Sequence, residues 1–295
     1  MQRSILIFGL GFTGRAIAQA ASAAGMAVAV TTRGDSKPIP GVQVVAFDNA
    51  GPAIATATHV VSTAPPGNSA DPVLARYGAE LDAAPLLAWA GYLSTTGVYG
   101  DRGGGWVDED TPPAPGQPRS RHRLAAEQAW AALSPRVAVD LFRVAGIYGP
   151  GRSALDELRA GRARRIVKAG QAFGRIHRDD IAGSVLAAAV QDHAGGVRVL
   201  NLADDEPAEG AAVTAFAAGL LGVPPPPPIP FEQAVADMTE MGRSFWRENR
   251  KVASVKTQAA LGRKWLYPTY REGLSAILAE QRGEQPEQQR EVGRP

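Results

Sequence analysis

Cysteine is absent from the 295 residues of this chain, and histidine occurs four times. The absence of cysteine excludes disulfides, thiolate metal sites and thiol nucleophiles, and it is typical of a reducing compartment, so we predict a cytoplasmic protein. An excess of one charge is also missing, because 31 Lys and Arg residues balance 29 Asp and Glu residues. The net charge of +2 is too small to predict a nucleic-acid partner.

A long unbroken hydrophobic run is missing as well. The apolar stretch 4–30 is interrupted by Gly9, Gly11 and Gly14, whereas a membrane span needs about 20 mostly apolar residues. We therefore predict neither a signal peptide nor a membrane partner. No group of His, Asp and Glu has the spacing of metal ligands, and no serine has the context of a hydrolase nucleophile, so we predict no metal site.

Short apolar runs alternate with helical patterns through the first half of the chain. Strands are predicted at 4–8, 27–32, 42–47, 59–64 and 91–96, a sixth strand with its exit loop at 137–148, and helices at 12–24, 72–83 and 120–133. Because crossover helices bury both faces of a parallel sheet, continuous apolar strands of this kind indicate an α/β fold with a doubly wound parallel sheet.

The alternation weakens after residue 149. Helices are predicted at 156–169, 179–191, 232–240 and 270–282, and a strand at 197–202. The prolines at 224–228 and 230 indicate an extended linker, and 283–295 has the composition of a disordered tail. A chain of this length usually forms more than one domain, so we expect a smaller C-terminal domain beside the sheet.

A glycine-rich turn joins the first predicted strand to the first predicted helix. Gly9, Gly11 and Gly14, with Phe12 and Thr13 among them, form a G-x-G-x-x-G pattern. The first glycine allows a tight turn, the second lets the backbone approach a pyrophosphate, and the third permits close packing of helix on strand. The helix N-terminus then favours the phosphates. This pattern predicts a dinucleotide site.

The residues at the end of the second strand distinguish an NAD site from an NADP site. An acid there would accept the ribose 2′-OH, and an arginine would contact a 2′-phosphate. Here the strand ends with Thr32 and Arg33, and the first acid is Asp35. Arg33 suits a charge-assisted phosphate contact, so we predict NADP as the cofactor, with NAD left open.

Five segments further along the chain resemble the extended short-chain dehydrogenase/reductase family, the NAD(P)-dependent epimerase/dehydratases. They are LSTTGVYG at 93–100, EDTP at 109–112, RVAGIYGPG at 143–151, IHRDDIA at 176–182 and NLADDEP at 201–207. The resemblance implies a Rossmann domain over 1–149, to which 177–203 returns. It also implies a small substrate domain from 150–176 and 204–282, and a small substrate, for example a sugar- or nucleotide-linked compound.

The same resemblance assigns roles to individual residues. Thr95 matches the Ser or Thr that hydrogen-bonds the reacting carbonyl, although a strand-end Thr can equally cap the backbone. Asp48 matches the position that meets the adenine amino group, and a loop-capping role is its alternative. Ala64, after the fourth strand, and Arg123, at the position that holds the nicotinamide ribose, complete the expected cofactor-binding set.

The chain departs from the family at the catalytic pair of tyrosine and lysine. Alignment on the Ala-Ala-Glu stretch places Arg119 at the tyrosine and Arg123 at the lysine. An arginine stays protonated near neutrality and cannot act as the general acid or base. Tyr99 is the nearest phenol, so it is a candidate proton donor with a structural role as the alternative. By family position, Arg143 and Arg152 flank the cleft entrance and suit an acidic substrate.

Two functions therefore stay open. One is an atypical NADP-dependent oxidoreductase or epimerase, and the other is a non-catalytic NADP-binding sensor or scaffold. Fold alone does not separate these classes. The sequence assigns no oligomeric state.

Overall fold

The centre of the fold is a seven-stranded parallel sheet. The computed structural model describes residues 3–68, 70–191 and 195–283. Within these ranges the strands are β1 Ser4–Phe8, β2 Ala27–Thr32, β3 Val42–Ala46, β4 His59–Ser62, β5 Trp89–Thr95, β6 Trp106–Val107, β7 Ala138–Val144, β8 Gly146–Tyr148, β9 Arg165–Val167, β10 Arg175–His177, β11 Gly196–Leu202, β12 Pro228–Pro230 and β13 Lys251–Val252. The large sheet has the order β11-β7-β5-β4-β1-β2-β3.

Helices cover both faces of this sheet. They are α1 Phe12–Ala23, α2 Gly51–Thr56, α3 Pro72–Ala83, α4 Pro118–Ala131, α5 Ala154–Arg159, α6 Arg178–Val190, α7 Gly210–Leu221, α8 Phe231–Ala234, α9 Glu240–Ser244, α10 Val255–Leu261 and α11 Tyr270–Gln281. One apolar core lies between the sheet and α1 and α6, and a second lies between the opposite face and α2, α3 and α4. The predicted doubly wound α/β fold is confirmed, and the sheet is Rossmann-like.

The strand order creates a switch point beside β1. The chain proceeds from β1 to β2 and β3 on one side, and the later strands β4, β5, β7 and β11 extend on the other. In open α/β sheets a ligand binds at such a point, outside the carboxyl ends of the strands. The topology thus indicates a ligand site at the C-terminal ends of β1, β4 and β5.

Most predicted elements of the first half are found, but the segment predicted as a strand with its exit loop contains a second strand. The run 137–148 forms two strands, β7 and β8, because the chain leaves the large sheet at Ala145. β8 pairs instead with β10 in a small parallel sheet. This break carries the chain from the sheet edge into the C-terminal elements.

Two helix predictions for the second half were wrong. The helix expected over 156–169 ends at Arg159, after which β9 is extended. The helix expected over 232–240 is divided into α8, a 3₁₀ turn and α9. The proline-rich segment is extended as expected, and its end forms an edge strand, since β12 pairs with β9. An edge strand tolerates proline because one side needs no ladder hydrogen bond.

The C-terminal elements form a small core of their own. It contains Tyr148, Leu155, Val213, Tyr270 and Leu274, so it joins α5, α7 and α11. The domain boundaries stay a prediction, and the expected tail over 283–295 lies outside the described residues from 284 onward. No helix in the described ranges is long and apolar enough to cross a membrane.

Candidate functional site

The glycine turn after β1 adopts a conformation that requires glycine at two positions. Gly9 has a φ of +107°, a value that residues with a Cβ rarely adopt. A Cβ on Gly14 would lie 1.9 Å from the Gly9 carbonyl oxygen, so this glycine permits α1 to pack directly on the turn. Thr63 fastens the turn by donating a hydrogen bond of 3.1 Å from Oγ1 to that same oxygen.

Gly11 differs from Gly9 and Gly14 in its surroundings. It is the N-cap of α1, and a Cβ built on it meets no protein atom within 4 Å. The space in front of Gly11 is therefore open, as a backbone that receives a pyrophosphate at a helix N-terminus requires. Thr13 is buried in the first turn of α1, and the Phe12 ring lies under the guanidinium groups of Arg152 and Arg178 at 5.7 and 5.2 Å.

A cavity of about 370 Å³, here called cavity A, opens beside this turn. Its wall includes Gly9, Gly11, Thr32, Arg33 and Ala64, so it joins five predicted cofactor residues. The exposed Arg33 guanidinium has no hydrogen bond or ion pair with any described residue. Asp48 lies exposed in the 3₁₀ turn after β3 and is not part of the wall, to which the preceding residue Phe47 contributes.

A second cavity of about 360 Å³, here called cavity B, lies at the ends of β5 and β7. The two cavities lie side by side, because β4 at the edge of cavity A pairs with β5. The complete wall consists of Thr95, Thr96, Gly97, Gln117, Arg119, Ser120, Val144, Ala145, Gly146, Ile147, Tyr148, Ala172, Phe173, Gly174, Arg175, Ser244, Phe245, Glu248, Arg250 and Val252.

Two hydroxyl groups flank one point at the bottom of cavity B. A Cβ on Gly97 would lie 2.9 Å from Ser120 Oγ and 3.4 Å from Thr95 Oγ1. Thr95 Oγ1 accepts a hydrogen bond from the Gly97 N–H at 3.1 Å, so its own proton stays available to a ligand. Ser120 is 5% exposed, and its hydroxyl has no partner in the described part of the chain. Ser120 was not among the site residues predicted from the sequence.

Arg119 and Arg123, which the resemblance aligns with a catalytic tyrosine and lysine, lie in different surroundings. Arg119 lines cavity B, and its guanidinium lies 4.8 Å from the centre of the Phe245 ring. Arg123 lines neither cavity, because its Nη1 donates to the Leu93 carbonyl oxygen at 2.7 Å and to the Tyr92 hydroxyl at 3.2 Å. In this arrangement Arg123 holds α4 against β5.

Tyr99 lies outside both cavities. Its side chain is fully buried, and its hydroxyl donates a 2.8 Å hydrogen bond to Asn201 Oδ1. Burial raises its pKa, and the positive charge of Arg143 opposes that rise. The geometry favours the structural alternative for this residue.

Arg143 was expected at the cleft entrance, and the structure corrects this expectation. Arg143 is 4% exposed and donates from Nη2 to Glu127 Oε2 at 2.9 Å and from Nε to Oε1 at 3.2 Å. Ser94 Oγ donates to the same carboxylate at 2.5 Å, and the Arg143 guanidinium lies over the Tyr99 ring. Strand β7 directs Arg143 inward, so it holds the sheet and α4 together instead of meeting a substrate.

A buried carboxyl lies behind cavity B. Asp204 is 1% exposed, and neither of its carboxylate oxygens has a hydrogen-bond partner among the described residues. Its backbone N–H donates to the carbonyl oxygen of Arg175, which lines the cavity. Burial raises the pKa of Asp204 to about 8, and the Arg175 charge opposes that rise.

This shift predicts a stability that falls with rising pH. Between pH 3.8 and 8 the folded chain keeps a proton on Asp204 that the unfolded chain loses, so folding is stabilised at low pH and the stabilisation is lost as pH rises through about 8. Asp204→Asn should remove this dependence. From pH 6 to pH 8 the free energy of unfolding of the wild type should fall by about 2 kcal/mol relative to the variant. Urea titrations at both pH values test this, and parallel pH profiles would contradict it.

Comparison with known proteins adds to this geometry. No model of a known protein family matches the chain. A Streptomyces protein named 3-diazoavenalumate denitrifying reductase is 31% identical over 179 residues, which are 57% of this chain and 58% of that protein. The chain thus matches little more than half the length of this curated relative.

Solved structures extend the similarity over the whole fold. A conserved protein of unknown function from Silicibacter pomeroyi DSS is 39% identical, with a TM-score of 0.85 over 95% of this chain and 99% of its own. A Methylobacillus flagellatus protein assigned as an NAD-dependent epimerase/dehydratase is 26% identical, with a TM-score of 0.74 over 96% and 100% of the two chains.

A third solved structure shares the fold at lower identity and carries a cofactor. The human epimerase family protein SDR39U1, solved with NADPH, is 22% identical, with a TM-score of 0.72 over 93% of this chain and 98% of its own. The chain therefore belongs to one family with the Silicibacter pomeroyi protein, and its structural neighbours are NAD-dependent epimerase/dehydratase-like proteins.

Proposed function

We propose that the chain is an NADP-dependent oxidoreductase or epimerase that acts on a small molecule in cavity B. One observation carries the proposal: the open backbone at Gly11 lies on the same sheet edge as cavities A and B. A dinucleotide bound there would place its adenosine in cavity A and its pyrophosphate at Gly11. Its nicotinamide would then lie beside Thr95. NAD(P)H supplies a hydride when it is bound.

The residues of cavity B suit a carbonyl or hydroxyl substrate. The protons of Thr95 and Ser120 are free to bind a carbonyl oxygen, and such donors stabilise the negative charge that develops on it during hydride transfer. Tyr148 is the one phenol among the described wall residues, and burial raises its pKa well above the usual range. We therefore assign the binding of the substrate's carbonyl oxygen to Thr95 and Ser120. Tyr99, which lies outside the cavity, is not assigned a catalytic role.

The cofactor assignment leads to a test at Arg33. NADPH should bind wild type roughly ten- to a hundredfold more tightly than NADH, because a charge-assisted hydrogen bond to the 2′-phosphate contributes about 1.5 to 3 kcal/mol. Arg33→Ala should lower the NADPH affinity to the NADH value and leave NADH binding unchanged. Fluorescence titration of both cofactors measures this, with NADH as the matched ligand that lacks the phosphate. Equal affinities in wild type would overturn the NADP preference.

A non-catalytic NADP-binding sensor or scaffold is the second candidate. Arg119 favours this candidate, because an arginine cannot exchange a proton near neutrality. Arg119 aligns with the catalytic tyrosine of the family that this chain resembles. A panel of aldehydes, ketones and oxo acids mixed with the NADPH-bound protein separates the two candidates. Oxidation of NADPH with any member supports the enzyme, and tight NADPH binding without oxidation supports the sensor.

A further inference from the structure

The start of α4 concentrates positive charge where the helix is already positive. Arg119, Arg121 and Arg123 lie in its first two turns, the first turn contains no acidic residue, and the N-cap Gln117 forms no side-chain cap. The positive end of a helix dipole disfavours cations and favours anions. These arginines thus lower the intrinsic stability of the α4 N-terminus, and such conflicts between local sequence and structure are expected at functional sites.

Ser120 supplies an independent observation at the same place. Ser120 is 5% exposed, it lines cavity B, and its hydroxyl has no hydrogen-bond partner among the described residues. The Ser120 Oγ atom is accessible from cavity B and not enclosed by the protein. The first turn of α4 therefore presents an unused donor to the cavity.

The charged side chains of cavity B leave an excess of positive charge. Glu248 Oε2 pairs with Arg250 Nη1 at 2.8 Å, so these two charges balance. Arg175 donates from Nη1 to the carbonyl oxygens of Phe173 and Ala208, and no carboxylate of the described ranges lies within ion-pair distance of it. Arg119 has no hydrogen bond or ion pair with any described residue. Two guanidinium groups in the wall thus lack a carboxylate partner.

We propose that cavity B binds a substrate carboxylate through Arg119 and the first turn of α4, which makes short 2-oxo or 2-hydroxy carboxylates the substrate class. A guanidinium that lies over a ring keeps its in-plane N–H groups free, and these match a carboxylate. Arg119, Ser120 and Thr95 line the same cavity, so a carboxylate at Arg119 and a carbonyl oxygen at Ser120 and Thr95 belong to one bound molecule. The apolar wall at Phe173 and Phe245 suits an apolar substituent.

This inference rests on the proposed function, and binding tests it separately from turnover. Phenylglyoxylate and its neutral amide, phenylglyoxamide, differ in the carboxylate alone. Calorimetry on the NADP⁺-loaded wild type should show roughly tenfold or tighter binding of the carboxylate. Arg119→Gln should remove this preference while the affinities for the amide and for NADP⁺ stay unchanged.

Arg121→Gln is the matched control. Arg121 lies two residues further along the same helix, donates a hydrogen bond to the Gly116 carbonyl oxygen and does not line the cavity. It makes the same charge change and should retain the preference. Equal binding of the two probes to wild type, no binding of phenylglyoxylate, or equal losses in the two variants would overturn the carboxylate site. Failure to bind NADP⁺ would overturn the proposed function instead, and the probe preference is then measured on the cofactor-free protein.

Discussion

Replacement of Gly11 by valine is expected to lower NADPH affinity by roughly a hundredfold or more and to leave the protein folded. The valine side chain would occupy the open space in front of the helix N-terminus, where a pyrophosphate would receive backbone N–H groups. The fold should persist because no protein atom lies within 4 Å of the new Cβ and the backbone at Gly11 is extended, with a φ of −82°. Fluorescence titration of NADPH and thermal unfolding measure the two effects.

Two further glycine variants make this test specific. Gly78→Val, in α3, also places a Cβ in open space and should bind NADPH like wild type. Gly14→Val should unfold the chain, because its Cβ would collide with the Gly9 carbonyl oxygen. NADPH affinity unchanged by Gly11→Val would show that the turn is not a dinucleotide site.

Replacement of Glu127 by alanine is expected to lower the free energy of unfolding by about 3 to 5 kcal/mol. The change leaves the buried Arg143 guanidinium without its carboxylate partner and removes the acceptor of the Ser94 hydroxyl. Both partners of the ion pair are almost fully buried, so water cannot replace the lost contacts. Urea unfolding followed by circular dichroism gives the free energy.

An exposed ion pair provides the comparison for Glu127. Glu80 pairs with Arg76 at 3.7 Å, and about half of each side chain is exposed. Glu80→Ala should therefore change the stability by less than about 1 kcal/mol. Glu127→Gln keeps the shape and an acceptor for Ser94, so it should cost less than Glu127→Ala. A loss below about 1 kcal/mol for Glu127→Ala would refute the structural role of the pair.

The sheet could be predicted because its strands are short, apolar and separated by helical patterns. Strands such as β1 and β4 are buried on both faces, and this produces the continuous apolar runs seen in the sequence. The helix α7 was not predicted, because its residues GAAVTAFAAGLL are small and apolar around the whole helix. The break between β7 and β8 depends on a pairing with β10 that lies about 30 residues away in sequence.

The residues that line cavity A were easier to predict as a group than those that line cavity B. The glycine pattern is local, and Gly9 and Gly11 line the same cavity as Arg33, which ends the second strand. Cavity B instead combines residues as distant as Thr95 and Phe245, and no local pattern indicates that they meet. Arg143 shows the same difficulty, since a charged residue in a strand gives no sign that Glu127 balances it in the core.

The most direct test of the proposed function is a crystal structure of the protein with NADP⁺. We expect the 2′-phosphate at Arg33 in cavity A, the pyrophosphate at the N–H groups that follow Gly9, and the nicotinamide beside Thr95 and Ser120 in cavity B. A nicotinamide that lies outside cavity B, or a glycine turn without a dinucleotide in crystals grown at saturating NADP⁺, would contradict the proposed function.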